Sequence, residues 1–243
     1  MSVTVQDLSR SPASMPLLLR EPPPLENGDQ LTRGEFERRY AALSEVKKAE
    51  LVEGVVYMPS PVSLVRHGTP HAYLTGWLVH YVAATPGIRV GDNATVRLDL
   101  DNEPQPDAVL LVEPSRGGNA RISEDGYIEG APELVAEVAA SSVSIDLHAK
   151  FRVYRRNGVR EYLVWRVQDQ TLDWFVLQAS DYQRMLPDTA GVLRSEVFPG
   201  LWLDPAALLR GDLATVLQVL QRGLVSRIGE QGVSGERQER ICP

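Results

Sequence analysis

The sequence predicts an α/β (α+β) fold, with a mixed β-sheet core that is flanked by helices. Strand-like and helix-like segments are interspersed, and one strand–helix–strand unit extends from Leu134 to Val167. Short apolar segments separated by turn residues cluster between residues 88 and 139. The length of 243 residues is sufficient for one large domain or two small ones.

In the N-terminal third, composition, cap residues and apolar spacing predict the elements. Thr32 is a suitable N-cap because Glu35 follows three residues later, as in a capping box. A glutamate–glycine pair between two apolar runs predicts a hairpin turn. The predicted elements are a flexible Pro- and Ser-rich leader (1–28), a helix after Thr32, a hairpin around Glu53–Gly54 (48–58), a loop (60–70) and a helix (71–84).

The remainder of the chain predicts most of the sheet and one long terminal helix. Gly158 is a suitable C-terminal cap for the helix before it. The predicted elements are strands within 88–100, 107–112 and 133–139, a polar linker with four glycines (115–132), a helix (Ile145–Asn157), a hairpin (160–177), a further strand (182–187) and a helix (212–224). These elements predict one domain over 29–225, and the polar segment 226–243 is expected to be disordered.

Composition indicates an ordinary globular protein. Hydrophobic residues make up 43% and charged residues 23% of the chain. The single cysteine, Cys242, excludes an intramolecular disulfide framework and is expected in a reducing cytoplasm. No apolar run approaches the roughly 20 residues of a membrane span, so no membrane partner is predicted. The N-terminus also lacks the pattern of a secretory signal.

The formal net charge of −7 argues against a broad basic surface that would bind nucleic acid non-specifically. A metal-dependent nuclease remains compatible with this charge, because its site needs several acids and its DNA contacts can come from a local basic patch.

Two acidic residues in apolar surroundings are the strongest functional signal. Glu137 lies among aliphatic and alanine residues in a predicted core strand, where an unpaired charge costs several kcal/mol. Asp107 follows a proline and begins another apolar strand, although aspartate is also common at strand starts for turn formation. Glu137 therefore predicts a pocket or a buried ion pair, and Asp107 is a candidate partner.

A lysine in the following helix is the third candidate. Lys150 lies between the apolar and polar faces of that helix, from which it could reach the ends of the strands. Asp146 lies four residues earlier, so an ordinary surface ion pair is the alternative interpretation. Replacing Lys150 with alanine is expected to abolish any nuclease activity with little loss of stability, because an exposed ion pair contributes only about 0–1 kcal/mol.

These three residue types suit phosphodiester hydrolysis. Asp107 and Glu137 supply the hard oxygen ligands that Mg²⁺ or Mn²⁺ prefers. A bound metal polarises phosphate and lowers the pKa of bound water, and a lysine can orient that water or neutralise developing charge. The sequence therefore predicts that both carboxylates lie close enough to bind one cation and that Lys150 points toward them.

The same motifs, taken together, carry a resemblance to a known family. The sequence resembles the Uma-type family of restriction endonuclease-like proteins in the PD-(D/E)XK nuclease superfamily, over roughly residues 30–220. The matching segments are the Pro-Asp strand, the Glu-Val strand, the Asp-x-x-x-Lys helix, and residues 49–61, 157–165 and 198–209. The resemblance implies a restriction-endonuclease-like sheet in a single nuclease-like domain and points to a homodimer.

One departure and one further acid follow from this resemblance. The superfamily places lysine two residues after the glutamate, but that residue is Ala139 here. In the Uma-type pattern the lysine comes from the next helix, which matches Lys150. Glu50 matches the upstream acid of the family and could bind metal or water, and a solvated strand residue is its alternative interpretation.

Other polar residues have simpler interpretations. His67 and His71 flank the start of a predicted helix and could bind a transition metal, although caps and surface histidines are commoner. Ser141 and Ser142 resemble serines of the family but are interpreted first as helix caps.

The leading functional hypothesis is a metal-dependent DNA endonuclease with the site Asp107, Glu137, Lys150 and Glu50. The alternative is a catalytically inactive nuclease fold that acts as a binding or regulatory module. The sequence contains neither the G-x-S-x-G motif of many hydrolases nor a P-loop.

A homodimer would present one site to each strand of a duplex. Aromatic residues in the last third could supply its interface: Trp165, Trp174, Phe175 and Trp202. Filling the monomer core is their alternative role.

Overall fold

The computed structural model describes residues 22–43, 48–58 and 61–239, with side chains given up to residue 227. The strands are β1 (Glu50–Val52), β2 (Val55–Tyr57), β3 (Ile88–Asp92), β4 (Val96–Arg97), β5 (Ala108–Val112), β6 (Arg121–Ile122), β7 (Ile128–Glu129), β8 (Leu134–Ala139), β9 (Glu161–Arg166), β10 (Thr171–Gln178), β11 (Asp181–Arg184), β12 (Leu193–Arg194) and β13 (Trp202–Leu203). The helices are α1 (Arg33–Ala41), α2 (Thr69–Ala83), α3 (Phe151–Arg156), α4 (Pro205–Leu209) and α5 (Leu213–Glu239). Single π-helical turns precede α2 (Leu64–Gly68) and α3 (Ile145–Lys150).

A six-stranded mixed sheet forms the centre of the fold, which confirms the predicted fold class. Its strand order is β11-β10-β9-β8-β5-β3. The pair β8–β9 is parallel, because the α3 segment connects the two strands, and the other neighbouring pairs are antiparallel. The short strands β1–β2, β12–β13 and β4-β7-β6 form three smaller sheets.

Strand β8 shows how the two faces of the sheet differ. Successive strand residues point to opposite faces. Leu134, Ala136 and Val138 belong to the larger core, which also contains α2 and α5 residues. Val135 and Ala139 belong to a second core on the other face, which contains Tyr154 of α3. Glu137 has the same parity as these two residues, so its position is on the α3 face.

The predicted hairpin around Glu53–Gly54 is confirmed, with β1 and β2 as its strands. Both turn residues have positive φ, 53° for Glu53 and 74° for Gly54, as a type I′ turn requires. Leu51 bridges to Glu103 through two backbone hydrogen bonds of 3.1 and 2.8 Å. This bridge fixes the small sheet to the segment that leads into β5 and so positions the neighbouring Glu50.

Several segments differ from the sequence-based expectation. Part of the predicted leader is described, and its Leu25 is buried beside Phe36; residues 1–21 lie outside the described part. The polar linker contains strands β6 and β7, and the predicted loop before α2 contains a π-helical turn. The aromatic side chains Trp165 and Trp174 fill the larger core and Phe175 packs on the second. They therefore give no support to a dimer interface.

The last helix is longer than predicted. A helix was expected over 212–224 and a disordered segment from residue 226, whereas the described backbone is helical from Leu213 to Glu239. No proline interrupts this stretch, and its glycines weaken a helix by only about 1 kcal/mol each. Residues 240–243, including Cys242, lie outside the described part.

Glu103 gives one expected pH dependence. Its side chain is buried, and burial raises its pKa to about 8, with Glu37 adding to the effect and Arg97 opposing it. The folded state then keeps a proton that the unfolded chain releases, so stability falls as pH rises from about 5 to about 8. We expect a lower free energy of urea unfolding at pH 8 than at pH 6, and a smaller difference in Glu103→Gln. An undiminished difference in that variant would contradict this origin.

Candidate active site

Asp107 lies immediately before β5 and takes part in the hydrogen bonding of β8. Its Oδ2 accepts a 2.7 Å hydrogen bond from the backbone N–H of Val138. The β5–β8 register pairs Ala108 with Ala136, and extending it by one residue sets Asp107 beside Glu137. Neighbours of this kind across an antiparallel pair have Cβ atoms about 5 Å apart and lie on the same face. The register therefore brings the two predicted acids together.

Glu137 is buried, and its bonds identify its partners. Its Oε1 accepts hydrogen bonds from Lys150 Nζ at 2.9 Å and from the Tyr154 hydroxyl at 3.0 Å. All the side-chain hydrogen bonds found for this carboxylate within the described residues go to Oε1. Oε2 is thus the oxygen available for another ligand.

Lys150 is the central cation of the site. It ends the π-helical turn before α3, a type of local distortion that is frequent at functional sites. Its Nζ lies 3.1 and 3.0 Å from the two carboxylate oxygens of Glu50, in addition to its bond to Glu137. Glu50 in turn accepts a 2.7 Å hydrogen bond from the backbone N–H of Gln105. Glu50, whose side chain is 12% exposed, therefore pairs with a buried lysine and is not a solvated strand residue.

Asp146 also belongs to the cluster around Lys150. Its membership was not predicted from the sequence. Its side chain is 1% exposed, and its Oδ1 lies 3.8 Å from Lys150 Nζ. The expected alternative of a surface ion pair is wrong, because both partners are buried. Oδ2 accepts from the Ser142 hydroxyl at 2.5 Å, so Ser142 binds a carboxylate instead of capping a helix. The four-residue spacing of Asp146 and Lys150 was the available signal, but spacing does not report burial.

The two histidines contact backbone and carboxylate groups near Asp107. His67 Nε2 lies 3.2 Å from Asp107 Oδ1. His71 Nε2 lies 2.8 Å from Asp92 Oδ1 and 3.1 Å from the Asp107 carbonyl oxygen. The described residues contain no group of three or more His, Cys, Asp or Glu side chains arranged to hold a metal. The histidine pair is thus explained by these hydrogen bonds.

Burial and charge give the acids different protonation tendencies. Burial raises the pKa of Glu137 to about 8, against the effect of the Lys150 ammonium. Burial likewise raises the pKa of Asp146. For Asp107, burial would raise the pKa, but the hydrogen bond and charge of His67, together with the Val138 N–H and the charge of Lys48, lower it below its usual value. Burial would lower the pKa of Lys150, but Glu137, followed by Glu50, raises it well above its usual value. Lys150 is therefore a cation, and the cluster favours uptake of a proton or a further cation.

The donor set fits a hard divalent cation. The carboxylates of Asp107, Glu137, Glu50 and Asp146 outnumber the single ammonium of Lys150. Asp146 Oδ1 is buried and has no hydrogen-bond partner among the described residues. Mg²⁺ is commonly held by only one or two carboxylates, with water and substrate phosphate completing its octahedron. A site based on two carboxylates is therefore consistent with the absence of a three-residue metal cluster among the described side chains.

The mixed sheet with its flanking helices, together with the acids and lysine at one place on it, defines a restriction-endonuclease-like α/β protein. The comparisons with known proteins give the family. The family model Uma2, described as "Putative restriction endonuclease", matches residues 34–206. The chain belongs to this family.

A solved structure has a similar fold. It is described as a "putative nuclease belonging to DUF820 from Anabaena variabilis" and matches with a TM-score of 0.54 and 16% sequence identity. The match covers 70% of this chain and 97% of the other. A search of the curated proteins found no match. None of the helices within residues 22–43, 48–58 and 61–239 has the length and apolar character to cross a membrane.

Proposed function

We propose that this chain is a metal-dependent endonuclease that hydrolyses phosphodiester bonds in DNA. The observation that carries the proposal is the buried Lys150–Glu137 contact of 2.9 Å, with Asp107 beside Glu137 in the extended strand register. A cation and two acids are the groups that this hydrolysis requires. Family membership supports a nuclease activity.

Each residue has a distinct proposed role. Asp107 and Glu137 would hold Mg²⁺ or Mn²⁺, which supplies Lewis-acid polarisation of the phosphate and a bound water of lowered pKa. Lys150, a fixed cation, offsets negative charge that develops on the phosphate. Glu50 holds the ammonium of Lys150 in place through its two close oxygens. Tyr154 donates to Glu137 and fixes its Oε1.

Cleavage of supercoiled plasmid tests the proposal. We expect nicked or linear products with Mg²⁺ or Mn²⁺ and intact plasmid with EDTA. Single-stranded DNA and RNA of the same sequence, assayed in parallel, define the substrate. Intact substrates under all metal conditions would contradict a nuclease function.

A catalytically inactive binding module is the second candidate. It is favoured by Lys150, which already neutralises Glu137 and Glu50 by direct contact, and by the net charge of −7. DNA binding in the absence of cleavage at any metal concentration would identify this function.

Assembly and location are part of the same proposal. A homodimer would place one site against each strand of a duplex. We expect sedimentation at micromolar concentration to give a species of about twice the 26.9 kDa chain mass. A species of single-chain mass alone would contradict the dimer and would leave nicking or single-strand cleavage. The single cysteine supports a location in a reducing cytoplasm.

A further inference from the structure

An exposed aliphatic turn adjoins the candidate site. Val62, Leu64 and Val65 keep 67%, 73% and 78% of their surface exposed. Singly exposed aliphatic side chains are ordinary, whereas a contiguous exposed group usually marks an interaction site. Three such residues within four positions therefore indicate a contact surface.

This turn is ordered and is connected to the site. The backbone N–H groups of His67 and Gly68 donate to the Ser63 carbonyl oxygen at 2.9 and 3.1 Å. These bonds close the π-helical turn with Leu64 and Val65 on its surface. His67 then contacts the Asp107 carboxylate at 3.2 Å. Leu64 and Val65 are thus three and two residues from His67, whose side chain touches a proposed metal ligand.

One cation lies on the aliphatic turn, and a second lies near Asp107, which the turn contacts through His67. Arg66 is exposed and belongs to the turn itself. Lys48 donates a 3.1 Å hydrogen bond to Asn93 Oδ1, and its charge acts on Asp107. Neither forms an ion pair within the part of the chain that the structure describes. An aliphatic turn that carries Arg66 and reaches Asp107 through His67, where the charge of Lys48 also acts, is complementary to nucleic acid, which offers stacked bases and phosphates.

The acidic net charge of the chain increases the share of DNA affinity that apolar contact has to supply. A protein of net charge −7 gains little general attraction to DNA. Affinity from phosphate contacts also weakens as salt rises, whereas apolar contact does not depend on counterion release. An acidic nuclease therefore benefits from apolar contact with the bases at its site.

We propose that Leu64 and Val65 form a wedge that enters a base step of a DNA duplex at the candidate site, while Arg66 and Lys48 contact phosphates. This inference rests on the proposed nuclease function and specifies its substrate. Aliphatic wedges in other proteins unstack base steps and kink the duplex. Flexible pyrimidine–purine steps and mismatched base pairs unstack at the lowest free-energy cost. The preferred substrate is thus duplex DNA with such a step beside the cleaved bond.

Base unstacking and affinity test the wedge. A duplex with 2-aminopurine at a TA step is titrated in EDTA with the wild type, with Leu64→Ser/Val65→Ser and with Leu186→Ser. Leu186 is 76% exposed and follows β11, so it is the matched control. We expect fluorescence to rise with the wild type and the control. The double variant should bind at least about tenfold more weakly, without the rise in fluorescence.

Salt dependence and sedimentation separate the remaining outcomes. With about two phosphate contacts, the logarithm of the DNA-binding constant should fall with the logarithm of the salt concentration at a slope near −1.8. Arg66→Ala should make this slope shallower by about 1. Unchanged affinity and fluorescence in the double variant would overturn the wedge even if the wild type cleaves DNA. Neither binding nor cleavage by the wild type would overturn both proposals. A dimer that the double variant converts to monomer would assign the turn to contact between copies and overturn the wedge.

Discussion

Lys150→Met is expected to destabilise the protein by about 3–5 kcal/mol, because it removes the ammonium that, within the described residues, contacts the buried carboxylates of Glu137 and Asp146. Lys150 Nζ lies within 3.1 Å of Glu137 and Glu50, and its own side chain is 6% exposed. Methionine keeps most of the side-chain volume but leaves these acids unpaired. The structure therefore reverses the expectation of a loss of only about 0–1 kcal/mol, which assumed an exposed ion pair.

Urea unfolding measures this effect, and the same helix offers a control. Arg152 pairs with Glu53 at 2.7 Å, but its side chain is 52% exposed. Arg152→Ala should therefore cost only about 0–1 kcal/mol. Adding Glu137→Gln to Lys150→Met should recover part of the lost stability, because the stability effects of substitutions at contacting residues are not additive. A Lys150→Met loss no larger than that of Arg152→Ala would show that the cluster is solvated.

Asp107→Asn is expected to lower cleavage at least about 100-fold while the fold is retained, because it removes a charged metal ligand. The asparagine carbonyl oxygen can still accept the hydrogen bond from Val138. Circular dichroism and thermal unfolding should therefore remain close to the wild type. Isothermal titration with Mn²⁺ should show weakened binding in parallel with the loss of activity.

Asp92→Asn is the matched control for this experiment. Asp92 also pairs with a histidine, His71, at 2.8 Å, but its side chain is 55% exposed. It ends β3, on the far side of β5 from β8, and so is not a neighbour of Glu137. We expect this variant to keep most of the cleavage and the Mn²⁺ affinity. Equal losses in both variants would assign the effect to general charge and remove Asp107 from the proposed ligand set.

Much of the architecture was predictable because it depends on local pattern. Apolar runs identified β5 and β8, and Gly158 marked the end of the helical segment at α3. The hairpin at Glu53–Gly54 followed from its turn residues. The short strands β6 and β7 and the extension of α5 were not predicted, because their sequences are polar and contain glycines, and two-residue strands have almost no periodicity.

The sequence by itself determined the fold class and selected Asp107 and Glu137, because a charge in or beside an apolar strand is a local anomaly. Lys150 was selected from its place in the following helix and from the family pattern. Only the tertiary structure decided how these residues meet. Glu50 contacts Lys150 across 100 positions of the sequence. That contact depends on where the β1–β2 hairpin packs, which no local pattern encodes. Strand register likewise sets Asp107 beside Glu137, and burial turns the Asp146–Lys150 spacing from a surface pair into part of a charged core.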